Sequence, residues 1–209
     1  MKITSLEAIL KSAYPVMPVI VIDELKSAIP LAQTLVNAGV KVLEITLRTE
    51  CALMAIEQIK TALPELIVGA GTYTEINQLS AVIKAGGDFV VSPGIHPKLL
   101  DAAQQNEMPI LPGVMTPSDI LLAIEYGLNV VKLFPAASAG GVDYLKDLQG
   151  PFPKLKFCPT GGINSKNYSA YLALDNVICV GGSWLAPSSW IKQQRWKEIG
   201  QMAKLIVAE

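Results

Sequence analysis

Lys132 stands in Asn129-Val130-Val131-Lys132-Leu133-Phe134, among residue types that favour buried strands. Burial strips an ammonium of its hydration and favours the uncharged amine, the form that attacks a ketone. The imine that results, once protonated, accepts the electron pair of a breaking carbon–carbon bond. The alternative is an outward lysine whose stem lies between helices while its head reaches water. Position alone leaves both open. Glu44 is the second candidate. Strand alternation puts Val42, Glu44 and Thr46 on one face, opposite Leu43, Ile45 and Leu47. In a sheet covered on both faces that carboxylate needs either a task, proton exchange with a substrate, or a partner, a structural ion pair with a lysine or arginine. Arg48 shares this parity just past the strand, where a guanidinium can fork onto a carboxylate or pair with Glu50. Thr72 follows Gly69-Ala70-Gly71 and offers a hydroxyl where bare backbone lets a ligand approach.

Two glycine pairs add a different chemistry. Gly161-Gly162 follows Thr160, and Gly181-Gly182 precedes Ser183. Backbone N–H groups in such loops, beside helix N-termini, hold a phosphate without a cluster of arginines. Neither pair, nor Gly69-Ala70-Gly71-Thr72-Tyr73-Thr74, completes a GxGxxG run. His96 is the only histidine, too few for a catalytic zinc site. It reads as a loop residue before the helix that starts near Pro97, at most lining the pocket mouth, and is assigned no catalytic role. Cys51, Cys158 and Cys179 contain no CxxC pair and read as reduced, buried thiols. Trp184, Trp190 and Trp196 read as packing residues, since no basic patch accompanies them.

These residues need elements to hold them. Short β-branched runs alternate with helical periodicity along the whole chain. Strands are expected near Val16–Ile22, Val40–Leu47, Ile67–Ala70, Phe89–Ser92, Ile110–Gly113, Val130–Phe134, Lys156–Pro159 and Ile178–Gly181. Helices are expected at Lys26–Ala38, Cys51–Ala62, Ile76–Ala85, Lys98–Gln105, Ser118–Tyr126, Val142–Leu148, Asn167–Ala173 and about Gln193–Val207, with an extra helix at about Ser5–Lys11. Glycines after Ala38, Ala85 and Tyr126 suit helix ends. Eight βα units in about 200 residues predict an α/β fold of the (β/α)8, or TIM-barrel, type with an extra N-terminal helix, one domain over 1–209. A doubly wound open sheet is the alternative, but its glycine-rich first turn is missing: the first turn here is Ile22-Asp23-Glu24-Leu25. In such a barrel the functional groups gather at the C-terminal strand ends, and Arg48, Thr72, Lys132, Thr160 and Ser183 all fall there.

Composition narrows the partners. Hydrophobic residues make up 51% and charged residues 17%, with a net charge of −1 and no basic run, which argues against nucleic acid. Met1-Lys2-Ile3-Thr4-Ser5-Leu6-Glu7 carries charges too early for a signal peptide, and the run Val16–Ile22 is too short to span a bilayer. A cytoplasmic protein without membrane partners is expected.

The segments Val42-Leu43-Glu44-Ile45-Thr46-Leu47-Arg48-Thr49, Val68-Gly69-Ala70-Gly71-Thr72, Val131-Lys132-Leu133-Phe134-Pro135-Ala136, Cys158-Pro159-Thr160-Gly161-Gly162-Ile163 and Val180-Gly181-Gly182-Ser183-Trp184 resemble, in order, the 2-keto-3-deoxy-6-phosphogluconate (KDPG) and 4-hydroxy-2-oxoglutarate aldolases of class I. The resemblance implies an imine on Lys132 and no metal or other cofactor. It implies Glu44 as general acid/base acting through a water, and Arg48 and Thr72 as ligands of the pyruvate carboxylate. Thr160 would discriminate stereochemistry, and Gly161, Gly162 and Ser183, with Gly182 beside them, would hold the phosphate. A cytoplasmic homotrimer that takes a phosphorylated keto acid and releases pyruvate is implied as well. One departure stands out: many relatives carry a glutamate where this chain has Ala137. Two other readings share most of these residues, an aldolase for the phosphogalactonate epimer and a non-catalytic sugar-phosphate-binding barrel.

Overall fold

The structure is a computed structural model that describes residues 5–208. The expectation for Met1–Thr4 lies outside the described residues. In chain order the elements are α1 (Leu6–Ser12), β1 (Val16–Ile20), a 3-10 turn (Leu25–Ser27), α2 (Ala28–Asn37), β2 (Val42–Thr46), α3 (Ala52–Ala62), β3 (Ile67–Gly71), α4 (Gln78–Lys84), β4 (Phe89–Val91), α5 (Pro97–Gln105), β5 (Ile110–Leu111), β6 (Gly113–Val114), α6 (Pro117–Glu125), β7 (Val130–Leu133), α7 (Gly141–Gln149), β8 (Lys156–Pro159), α8 (Tyr168–Leu172), β9 (Val180–Gly182), α9 (Ser188–Lys192) and α10 (Trp196–Val207).

The strands form a curled parallel sheet in two parts, ordered β5-β4-β3-β2-β1-β9 and β6-β7-β8. The expected strand at Ile110–Gly113 is therefore divided. Pro112 has no N–H for the ladder, so β5 pairs with β4 and, one residue later, β6 pairs with β7. At the other seam single parallel bridges join Phe157 to Val177 and Thr160 to Gly181.

Apolar side chains sort into two cores by strand parity. Leu43, Ile45, Val68, Ala70, Val90, Val131 and Leu133 pack between sheet and helices. Val42, Phe89, Val91, Leu111, Val130, Cys158 and Cys179 pack on the opposite, inner face with Ile9 and Leu10 of α1. Phe89 is fully buried there, in space that a side chain on Gly69 would occupy. Burying such a ring contributes about 2–3 kcal/mol.

Helix ends follow local chemistry. Gly39, Gly86 and Gly127 take positive φ where α2, α4 and α6 turn toward the next strand. α6 opens with a capping box of Thr116 and Asp119. Burial works against the Asp119 carboxylate, but hydrogen bonds from the N–H groups of Met115 and Thr116 and from the Thr116 hydroxyl outweigh it and hold its pKa below the ordinary value.

The last helical segment departs from expectation. One helix over Gln193–Val207 is expected; the chain instead makes α9 before it and starts α10 only at Trp196. Gln194 takes φ 54°, a left-handed conformation that ends α9 without a glycine. The Arg195 guanidinium then lies 4.7 Å from the Trp190 ring centroid, and its Nε donates to Glu198 at 2.9 Å, fixing the restart. Among the described residues no helix is long and apolar enough to cross a membrane.

Candidate active site

Lys132 belongs to the inner face. Val131 and Leu133 on either side of it pack outward against the helices, whereas Val130 shares its parity and packs inward. Backbone pairing sets Lys132 between Gly113 of β6 and Cys158 of β8, and its N–H donates to the Pro112 carbonyl at 2.9 Å. Only 5% of the residue is exposed, which rules out the outward, solvated lysine. Its Nζ lies 3.4 Å from Glu44 Oε1 and 5.2 Å from the centroid of the Phe134 ring.

Glu44 lies on β2, in register with Val19 and Gly69, and is 1% exposed. The ion-pair partner weighed for it is Lys132 itself, so the structural and catalytic readings describe one contact. A pair this deeply desolvated is weak evidence of stability, since the cost of dehydrating two charges rivals their attraction. Glu44 Oε2 is buried with no hydrogen-bond partner among the described residues. A buried carboxylate beside a buried amine fits a site that exchanges protons.

At the C-terminal strand ends, Arg48 is exposed and turns its Nε onto Thr72 Oγ1 at 3.0 Å rather than toward Glu50. Thr72 takes φ 60° directly after β3. A β-branched residue in the left-handed region is strained by about 1–3 kcal/mol. The flanking bonds Leu47 N–H to Gly71 O at 2.8 Å and Tyr73 N–H to Val91 O at 2.9 Å hold the backbone in this shape. Thr72→Gly is therefore expected to leave Tm unchanged or raised. Loss of the hydroxyl bonded to Arg48 should weaken binding of a small carboxylate ligand at this strand end about tenfold or more. A thermal melt and a titration with small 2-keto carboxylates check this; a lower Tm with unchanged affinity would contradict it.

The two glycine loops lie side by side through the Thr160–Gly181 bridge. Thr160 is buried, and its hydroxyl donates to the Cys158 carbonyl at 3.4 Å. Gly161 and Gly162 take φ 98° and 75°, and the carbonyls of Thr160 and Gly161 accept the N–H groups of Ala136 and Ala137. A side chain on Gly162 would strike Ala137, and one on Gly182 the Trp184 ring. The departure at position 137 is thus a contact of this loop. Gly182 ends β9, and Ser183 is exposed just beyond it.

Other residues fall outside this set. His96 caps α5, its Nδ1 accepting the Lys98 N–H at 3.2 Å, and it lines a cleft of about 650 Å³ with Tyr73, Ile76, Pro93 and Leu99. That cleft is lined by neither Lys132 nor Glu44. Cys158 and Cys179 are buried with their sulfurs 3.6 Å apart. The hydrogen bond to Cys158, burial and the nearby Glu44 charge push the Cys179 thiol well up, so it stays neutral. Among the described residues no three His, Cys, Asp or Glu side chains gather as a metal-ligand set. Sequence reasoning missed the Phe134 ring beside the amine, although it stood in a quoted motif.

Residues 6–202 match the model of the family described as KDPG and KHG aldolase. The chain is 50% identical over 205 residues to a 2-dehydro-3-deoxy-phosphogluconate aldolase of Dickeya dadantii, covering 98% of this chain and 96% of that one. A solved KDPG aldolase of Legionella pneumophila, with pyruvate captured at low pH as a covalent carbinolamine intermediate, is 46% identical with a TM-score of 0.94, over 97% of this chain and 98% of that one. The Zymomonas mobilis ZM4 2-keto-3-deoxy-6-phosphogluconate aldolase, solved with 3-phosphoglycerate, is 39% identical with a TM-score of 0.89, over 95% and 93%.

Proposed function

The chain belongs to the KDPG and KHG aldolase family, and from that premise we propose that it is a carbon–carbon lyase cleaving 2-dehydro-3-deoxy-6-phosphogluconate to pyruvate and glyceraldehyde 3-phosphate through an imine on Lys132. The observation that carries this reading is the buried contact of 3.4 Å between Lys132 Nζ and Glu44 Oε1.

The proposed steps start from that contact. Lys132 passes its proton to Glu44 and attacks the C2 ketone; the proton returns as the carbinolamine loses water, and an iminium forms. Glu44, through a water, takes the C4 hydroxyl proton; the C3–C4 bond breaks, the aldehyde leaves, and its electron pair passes into the iminium to give an enamine. Protonation at C3 and hydrolysis release pyruvate and restore the lysine. Holding a proton acceptor in place contributes roughly 10²–10⁴ in rate. Arg48 and Thr72 bind the carboxylate, Thr160 reads the stereochemistry at the cleaved bond, and Gly161, Gly162, Gly182 and Ser183 hold the phosphate. The covalent pyruvate of the Legionella relative supports the imine route, and the phosphorylated ligand of the Zymomonas relative supports a phosphorylated substrate. The imine is the electron sink, so the proposal needs no cofactor and no metal. Because the family description names both activities, 4-hydroxy-2-oxoglutarate is proposed as a second substrate.

We further infer one domain over residues 1–209 whose strands close as a (β/α)8 barrel. The continuous chain through Pro112 supports closure at one seam and the Thr160–Gly181 bridge at the other. A cytoplasmic homotrimer is proposed from the resemblance of the motifs, with small-molecule partners and neither nucleic acid nor membrane.

A coupled assay of pyruvate release in EDTA tests this with the phosphogluconate, phosphogalactonate and hydroxyoxoglutarate substrates. The phosphogluconate derivative is expected to turn over fastest. A preference for the galactonate epimer would reassign the substrate. Tight binding without pyruvate release would make the chain a silent sugar-phosphate barrel, and loss of activity in EDTA would point to a metal-dependent aldolase.

A further inference from the structure

Position 71 has no conformational reason to be glycine. It ends β3 in regular parallel pairing with Thr46 on one side and Val91 on the other, and its φ is not positive. Its carbonyl accepts the Leu47 N–H as any residue's would. The reason lies in space. A methyl group there would run into Oε1, Cδ and Cγ of Glu44.

The register explains the contact. Glu44 pairs with Gly69, both on the inner face, and its side chain leans along the strand direction by two residues until the carboxylate lies over Gly71. The oxygen a methyl would meet, Oε1, is the one that faces Lys132 Nζ at 3.4 Å. Two other inner glycines do different work: Gly69 leaves room for the Phe89 ring, and Gly181 for the Thr160 hydroxyl.

We propose that Gly71 is a positioning residue for the reaction: its bare α-carbon is the floor on which the Glu44 carboxylate rests, and a side chain there turns the carboxylate away from Lys132. This rests on Glu44 being the acid/base group. A misplacement of about 1 Å at a reacting group costs on the order of 10²-fold in rate. Glu44 is 1% exposed, so a carboxylate pushed off Gly71 has no solvent to turn into and must move within the packed interior.

A double-mutant cycle with Gly71→Ala, Glu44→Ala and the pair tests it, reading kcat, KM and Tm in each. Gly71→Ala alone is expected to lower kcat about 100-fold with KM changed less than about threefold, and to lower Tm. In the Glu44→Ala background the truncated side chain frees the space. The added methyl should then change kcat by less than about threefold and leave Tm unchanged or raised. Equal losses of kcat in both backgrounds would overturn the proposal, as would coupling in Tm without coupling in kcat. Should Gly71→Ala fail to fold, a Tm of the pair below that of Glu44→Ala would overturn it, and a Tm equal or higher would support it. Wild-type kcat in Glu44→Ala itself would instead sink the reading of Glu44, while the Tm half of the cycle still reports the contact.

Discussion

Lys132→Ala is expected to lower kcat for cleavage by on the order of 10⁴–10⁶-fold, because deleting a covalent nucleophile removes the route and leaves only binding and orientation. Neighbouring side chains cannot stand in. The other inner-face groups near this position are the thiols of Cys158 and Cys179, an aromatic ring and a carboxylate, and none forms an iminium. The alanine variant also strands Glu44, already short of a partner at Oε2, and stranding a buried charge costs about 3–5 kcal/mol. Inactivity must therefore be separated from unfolding. Lys132→Met keeps most of the stem volume and should melt closer to wild type than Lys132→Ala while being equally inactive. A folded Lys132→Met protein with kcat within about tenfold of wild type would contradict the assignment.

Glu44→Gln should lower kcat about 10²–10⁴-fold, the usual worth of a positioned acid/base group. Glutamine keeps the shape of the side chain, so packing over Gly71 and against Lys132 changes little. It cannot take or return a proton. The loss should fall on kcat more than on KM, because on the proposed route the carboxylate acts on the bond being broken while other residues hold the substrate. Steady-state kinetics with the phosphogluconate substrate decide this. A fall in affinity at unchanged kcat would make Glu44 a binding residue instead.

The legible and illegible parts of this molecule divide along physical lines. Val42, Glu44 and Thr46 could be put on one face from sequence because strand parity is local, and the two cores follow it. Lys132 could not be assigned inward or outward, since both faces of a covered parallel sheet are apolar and its flanking valines and leucine fit either. Its partner stands 88 residues away, a separation that no local pattern encodes. Pro112 carried the signal of a broken strand, but its neighbours read as one apolar run. Left-handed backbone at Thr72 and Gln194 was invisible because neither residue type prefers it. Gly71 was visible as a glycine and silent about why, because its reason is the carboxylate of another strand.

The whole account turns on one amine forming a covalent bond to the keto carbon. Incubating the protein with pyruvate, reducing with borohydride and mapping the added mass by peptide mass spectrometry tests it directly. The account predicts a single reduced pyruvate adduct on Lys132, lost in Lys132→Met. An adduct on a different lysine, or turnover of the keto acid with no adduct at all, would contradict it.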